Sequence, residues 1–472
     1  MSYFNALLVA EARKHGRAQR SAQLRHRHLA TRPLGIVLWQ LGAEPFTAAA
    51  VAWGFGPKER SLAVPGEPRD RELAFRALAT VARSFNAWFE GERDEPPQVV
   101  VPNRGNLTLL GRLGRRLAYL STDGPTPADP ELVRFGRHLK WLYDRSRYPG
   151  QQLVVVLTDL LSAHWTSELS PSEAQHLPAM DAAIEPPRGT SGHGAAFAAE
   201  SLEIGPLPSA ADDDPVDPLV RKLNEGRGRS TDERIVAPLR KPIEAHYTKL
   251  VDRGWPLLWR CLERERRYEP APHVDRRWQR DLAALERHIE WTVAKGGAYR
   301  TRQSHEQAAR TLQDWETAYA KLVAEEAVDD PLRMVPFLLT NQAVAGKVLG
   351  VDLDHKEQPG KRSVRRAQVE LEVPERCTIP MQTKLYWTHT ANGREYRVTA
   401  VRAAGSKTIV TLTHQTSSDV ERPVPGMFAV FSVHTTRPTE IYKDFQQVPW
   451  THRRPVEHSA PLDGETDEGR WE

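Results

Sequence analysis

Apolar positions along the chain follow two periodicities, and the changes between them mark its parts. Gly35–Leu41, Thr47–Phe55 and Arg60–Val64 are short, apolar runs with polar breaks between them, and predict three strands. A helix opens at Arg69-Asp70-Arg71-Glu72-Leu73, with Asp70 as its N-cap. Gln98–Val101 predicts a fourth strand, which ends in Pro102-Asn103-Arg104-Gly105-Asn106. Leu107–Leu117 and Pro130–Arg147 read as helices; in the second, Leu132, Phe135, Leu139, Leu142 and Tyr143 recur at helical spacing. Gln152–Leu157 is a Val-rich run, apolar on both faces, which places it at the centre of a sheet flanked by helices.

Beyond residue 170 the pattern loosens. Residues 171–218 carry Pro186-Pro187-Arg188-Gly189 and the acidic cluster Asp212–Asp214, and read as a linker or disordered insertion with solvated acids. Residues 219–350 are helical, punctuated by Pro238, Pro242, Pro256, Pro270 and Pro272. Within them, Trp278, Leu282, Leu285, Ile289 and Val293 form one stripe, and Ala308, Leu312, Trp315, Tyr319 and Leu322 another. Gly296-Gly297 separates the two segments, so they predict an antiparallel helical hairpin packed through these stripes. A partner-binding groove is the competing reading of the same faces.

A second, basic linker, 351–366, precedes a change of period from helical to alternating. Gln368–Val373, Lys384–His389, Glu395–Arg402, Thr408–His414 and Met427–His434 are strand-like, with Asn392-Gly393 as a hairpin turn. Five strands in about seventy residues predict a small closed barrel over 367–445. The polar residues 446–472 read as a disordered tail.

Composition narrows the classes. At 472 residues, the chain is long enough for about three domains. Its 65 basic and 61 acidic residues leave a net charge of only +4, so local clusters rather than global charge must identify a polyanionic partner. Cys261 and Cys377 stand far apart, which excludes a cysteine zinc site and a disulfide scaffold and fits a reducing compartment. No apolar run reaches the roughly 20 residues of a membrane helix. The apolar patch Ala6–Ala10 is followed by basic residues, the wrong order for a signal peptide. These points predict a cytoplasmic protein without a membrane partner.

Charge is concentrated locally. Residues 1–32 predict a helical arm in which Arg13, Lys14, Arg17, Arg20, Arg25, Arg27 and Arg32 meet no acid after Glu11. Such an arm suits phosphate contacts, with a solvated helix face as the alternative. Asn103-Arg104-Gly105-Asn106 has the form of an anion-binding turn ahead of a helix, and Arg112, Arg115 and Arg116 follow it. In the barrel, Tyr386, Trp387, Arg394, Tyr396 and Arg397 interleave aromatic and basic side chains, as oligonucleotide-binding barrels do. Alternation places Tyr386 and Trp387 on opposite faces, so at most one lies inside.

The order of elements over about 33–165, together with Arg71-Glu72-Leu73, resembles the ribonuclease H-like family. The resemblance implies an Asp on the first strand, a Glu in the first helix, an Asp after the fourth strand and a later acid, together holding two metal ions. Glu72 matches the helix position. Ile36–Leu41 contains no acid, Asn103 or Pro102 stands in the second Asp position, and Asp159 aligns loosely with the last acid. Two carboxylates of four are a poor cage for hard divalent cations.

The expected architecture is therefore multidomain α+β: a basic arm, a degenerate ribonuclease H-like α/β domain at 33–170, a helical middle domain and a C-terminal barrel. The expected function is non-catalytic association with nucleic acid, without a cofactor. It would act beside a partner enzyme, such as a helicase or nuclease in DNA repair or defence against mobile elements, docked through the helical part. One alternative is a Mg²⁺-dependent nuclease using Glu72 and Asp159. Another is a protein-interaction scaffold.

Overall fold

The computed structural model describes residues 3–41, 44–67, 69–92, 95–123, 125, 127–229, 232–299, 304–358, 363–374, 376–389, 395–415 and 421–434. The predicted Asn392-Gly393 turn, Arg394 and the tail 446–472 lie outside them. Helix α1 (Tyr3–His15) leads into strands β1 (Leu34–Leu41), β2 (Glu44–Gly54) and β3 (Arg60–Ala63). Helix α2 (Arg71–Glu90), strand β4 (Val99–Val101), helices α3 (Arg104–Ala118) and α4 (Pro130–Ser146) and strand β5 (Val154–Val156) follow. The sheet order is β3-β2-β1-β4-β5. Strands β1, β2 and β3 form an antiparallel meander, and β4 and β5 run parallel to β1. Strand β5 is thus at the end of the sheet rather than its centre, though all three of its valines are buried.

Alternation along these strands sends apolar side chains to both faces, so both need helices. On one side Ile36, Leu38, Val51, Trp53 and Val101 meet Phe85 and Phe89 of α2, Leu109 of α3 and Phe135 and Leu139 of α4. On the other, Val37, Trp39, Ala50, Val100 and Val155 face helices α5 (Leu157–His164) and α6 (Leu177–Ile184). After α7 (Gly192–Ala199) and α8 (Val216–Arg229), helix α9 (Glu233–Arg266) covers that same face with Tyr247, Trp255, Leu258 and Leu262. Helix α9 runs through Pro238, Pro242 and Pro256 without a break. A proline inside a helix costs about 3 kcal/mol. Burying Trp255, Leu257, Leu258 and Trp259 around Pro256 returns about 1.5–3 kcal/mol per large side chain.

The predicted boundaries shift accordingly. Residues 171–218 are not a linker: α6 is buried along most of its length, and Ala179, Ala183 and Ala196 let α6 and α7 approach closely. Asp212 is not solvated either; it is 6 % exposed and pairs with Arg253 at 2.6 Å. The helical middle shares its core with the sheet. Helix α10 (Pro272–Ile289) places Trp278 and Leu285 in the core beneath α2 and α4, not against helix α11 (His305–Asp329). Leu312 and Tyr319 of α11 are 60 % and 62 % exposed, so the two stripes do not form a hairpin interface.

The basic arm is also rearranged. Helix α1 stops at His15, and residues 16–33 continue mostly as irregular chain threaded across the body. Arg20 lies 3.7 Å over the Tyr268 ring and 3.5 Å from Glu265. Arg25 donates to the carbonyls of Tyr268 and Arg27, and Arg27 donates to that of Gln151. Burial lowers the Arg25 guanidinium to about 10. The backbone N–H of His26 donates to His164 Nε2 at 3.1 Å, and His164 Nδ1 lies 3.0 Å from the fully buried Glu265. His26 Nε2 and the N–H of Leu24 both reach Asp330, at 3.1 and 2.9 Å. Asp330 also caps helix α12 (Pro331–Leu339).

The C-terminal part is a closed barrel of six strands, with β6 (Ala343–Asp352), β7 (Gln368–Val373), β8 (Lys384–Trp387), β9 (Glu395–Ala404), β10 (Lys407–His414) and β11 (Phe428–Ser432) in the order β6-β7-β10-β9-β8-β11. The five predicted strands are present. The sixth, β6, lies in residues expected to be helix and linker, and it closes the ring between β7 and β11. Its two glycines, Gly346 and Gly350, break the apolar alternation from which a strand is read. Among the described residues no helix is long and apolar enough to cross a membrane.

Burial holds several imidazoles neutral: His164 and His28 are lowered to about 4 and His288 to about 2. A depressed folded pKa gives stability that is complete above about 6.5 and lost as pH falls. The midpoint of urea unfolding is expected to drop steadily from pH 7 to pH 4. His164 alone accounts for about 3 kcal/mol at pH 4, and His164→Gln should flatten the dependence.

Candidate nucleic-acid interface

The residues proposed for a metal site follow β3, β4 and β5 in the chain and do not converge on one cluster. Asp70 caps α2, accepting from the N–H groups of Glu72 and Leu73, as its sequence position predicts. The Glu72 side chain is 82 % exposed and pairs with Arg76 one turn on, at 2.7 Å. Asn103 caps α3, and its Nδ2 donates to the Gly205 carbonyl at 2.8 Å. Its Oδ1 accepts from the backbone and side chain of Asn106, whose own Oδ1 accepts from Leu38 N. The N–H of Gln40 donates to the Pro206 carbonyl at 2.8 Å. Residues 205 and 206 therefore cover the end of β1. Gly205 is required there, because it has φ +90° and a Cβ would lie 2.5 Å from the Leu38 carbonyl oxygen. Asp159 accepts two contacts from Arg104 Nε, at 2.7 and 3.0 Å. Among the described residues no three or more His, Cys, Asp or Glu side chains are grouped so as to hold a metal ion.

The predicted nucleic-acid residues divide by burial. Arg20, Arg25 and Arg27 are turned into the body, as described above. Trp387 and Tyr396 are barrel core, 3 % and 0 % exposed, so neither ring is available for stacking. Tyr386 faces outward and is half-buried, and Arg397 is held 3.5 Å from Glu395. Arg13 and Lys14 lie on the exposed side of α1, near Glu168 and Glu11. Arg17, Arg112 and Arg116 are exposed.

Of the predicted residues, Arg115 enters a cleft of about 1010 Å³ between α3, α4 and the start of α11. Its cations are Arg115, Lys140, Arg145, Arg147 and Arg310, against the carboxylates Asp144 and Asp314. Tyr119, Trp141, Tyr148, Tyr299 and Trp315 supply aromatic surface. Cations and rings are paired: Lys140 lies 5.3 Å from the Tyr299 centroid, Arg145 4.3 Å from Tyr148 and Arg147 5.1 Å from Trp315. Not all the charge is available. Lys140 bonds Asp144 at 2.9 Å, Arg145 bonds the buried Asp281, and Arg310 bonds Glu306 at 2.5 Å. Arg147 and Arg115 are exposed, and Arg115 has Asp144 only at 3.9 Å.

The wall of the cleft is held by a buried chain of polar groups. Tyr299 hydroxyl bonds His288 Nδ1 at 2.5 Å, His288 Nε2 meets His138 Nδ1 at 2.9 Å, and His138 Nε2 bonds Glu90 at 2.6 Å. With a carboxylate at one end and both imidazoles neutral, each ring donates toward Glu90 and the Tyr299 hydroxyl donates to His288. Trp141 stacks on His288 at 4.3 Å and 6°. Sequence reading passed over most of this site, although Lys140-Trp141-Leu142-Tyr143-Asp144-Arg145-Ser146-Arg147-Tyr148 interleaves bases and aromatics. Helical periodicity assigned that run to the core, which holds only for one of its faces.

No protein-family model, curated protein or solved structure matches this chain. Asn106→Leu leaves the Leu38 N–H without an acceptor in a dry site. It is expected to lower the free energy of unfolding by about 1–3 kcal/mol in chemical denaturation.

Proposed function

We propose that the protein binds nucleic acid without cutting it. The observation that carries this reading is the cleft between α3, α4 and α11, where exposed guanidinium groups lie beside aromatic faces. Phosphates attract the cations through charge, and bases offer π-faces to the rings. Arg147 and Arg115, exposed and without a close carboxylate partner among the described residues, are the cations that an incoming polyanion meets first.

The α/β part supports the same reading. Its antiparallel meander beside parallel strands is the arrangement a ribonuclease H-like domain calls for. In this chain the acid positions are filled differently. An amide stands at Asn103, engaged with Gly205; Asp159 is engaged with Arg104; and Glu72 is out at the surface with Arg76. These are groups for holding structure together, and the reading taken is a degenerate domain used as a scaffold.

Fluorescence anisotropy with labelled DNA and RNA tests the reading. Binding is expected at low salt and should weaken steeply as salt rises. Arg147→Glu should weaken it on every sequence and reduce the slope of log K against log salt by about 1 or more. Glu72→Ala should leave binding unchanged. Absence of binding at low salt would sink the proposal, and Mg²⁺-dependent cleavage lost in Glu72→Ala would replace it with the nuclease.

A further inference from the structure

We infer that the cleft takes single-stranded nucleic acid, by stacking unpaired bases, and discriminates against duplex. The inference rests on the nucleic-acid reading above and specifies its substrate class. A second cavity of about 520 Å³ adjoins the cleft and shares two of its walls, Trp141 and Tyr299. It adds one cation, Arg287, and one ring, Trp291, which is 45 % exposed. The two cavities together form a track that begins at Trp315 and Arg147, passes Tyr299 and ends at Trp291 and Arg287. At one end the Arg147 guanidinium lies over the Trp315 indole, in the middle Lys140 lies over the Tyr299 ring, and at the other end Arg287 and Trp291 line the same cavity.

Two of the rings, Tyr299 and Trp291, are held in place before any ligand arrives. Tyr299 is anchored through His288 and His138 to Glu90, in a chain whose histidines are fully or nearly fully buried. Trp291 is backed by main chain: Gly297 N–H donates to its carbonyl at 2.8 Å, and a Cβ on Gly297 would lie 2.2 Å from the indole. Rings fixed in this way lose little further freedom on binding, which favours affinity. Their geometry also selects the ligand. Bases inside a duplex are covered on both faces by their neighbours, whereas bases of a single strand can splay onto aromatic side chains. Phosphate contacts alone would not distinguish the two forms.

Equilibrium binding to the full chain distinguishes the possibilities. The probes are a single strand of about a dozen nucleotides, as DNA and as RNA, and the duplex of the same sequence. Single strands are expected to bind at least about 10-fold more tightly than duplex and to quench tryptophan fluorescence. Trp315→Ala should weaken single-strand binding about 5- to 100-fold without changing the salt slope, since it removes a ring and no charge. Trp291→Ala should act in the same direction, and Trp315→Phe, which keeps a stacking face, should restore most of the loss. Equal affinity for duplex, or Trp315→Ala and Trp291→Ala proteins that keep their Tm and full affinity, overturns the inference while nucleic-acid binding stands. If neither form binds at low salt, the parent reading falls and the inference with it. Should Trp315→Ala fail to fold, the wild-type comparison of single strand with duplex and the Trp315→Phe protein still decide.

Discussion

The structure depends on a five-stranded sheet that is apolar on both faces. Strands such as β4 and β5, all valine and all buried, cannot meet water on either side. One face recruits α2, α3 and α4 from the neighbouring sequence, but the other has only short helices nearby. Helix α9, more than a hundred residues downstream of β4, completes it with Tyr247, Trp255, Leu258 and Leu262. Helix α10 then sets Trp278 and Leu285 beneath α4, which brings Tyr299 to the cleft wall. The candidate interface is therefore a consequence of covering the sheet.

A second constraint is the burial of charge around residues 16–33. Glu265 is fully buried and receives Trp165 Nε1 at 2.7 Å, with His164 and Arg20 beside it. Asp330 receives Leu24 N and His26, and caps α12 as well. A buried carboxylate loses several kcal/mol of hydration unless it is paired and hydrogen-bonded. Removing any one of these partners would strand the others, so the segment is tied to α5, α9 and the α11–α12 junction. Three of the arginines that make it look like a nucleic-acid arm, Arg20, Arg25 and Arg27, are turned in to hold it to the body.

The cleft resolves a difficulty of charge. The chain is nearly neutral overall, and many of its cations face a carboxylate. Among the cleft residues, Lys140, Arg145 and Arg310 are engaged with acids, which fixes their positions more than it creates a field. Arg147 and Arg115 extend from the ends of α4 and α3 toward the rings. This division, some cations for placement and others exposed, is how a chain with little net charge can still present a basic surface.

Local chemistry alone determined a good part of this protein. The four strands at 35–101, the Asp70 cap, the helix with Leu132, Phe135 and Leu139, and five of the six barrel strands were legible because burial periodicity and capping are properties of neighbouring residues. Strand β6 escaped because its two glycines interrupt the alternation, and α6 because a short run of Pro and Ala looks like linker until another helix packs on it. Tertiary structure alone decided which charges are internal. Nothing local separates Arg25, bonded to the carbonyl of Tyr268, from Arg147, lying over Trp315. It also decided which rings are accessible, since Trp387 fills the barrel and Trp291 stands 45 % exposed. The physical reason is common to both: burial of a side chain is set by partners tens to hundreds of residues away, and no local pattern records them.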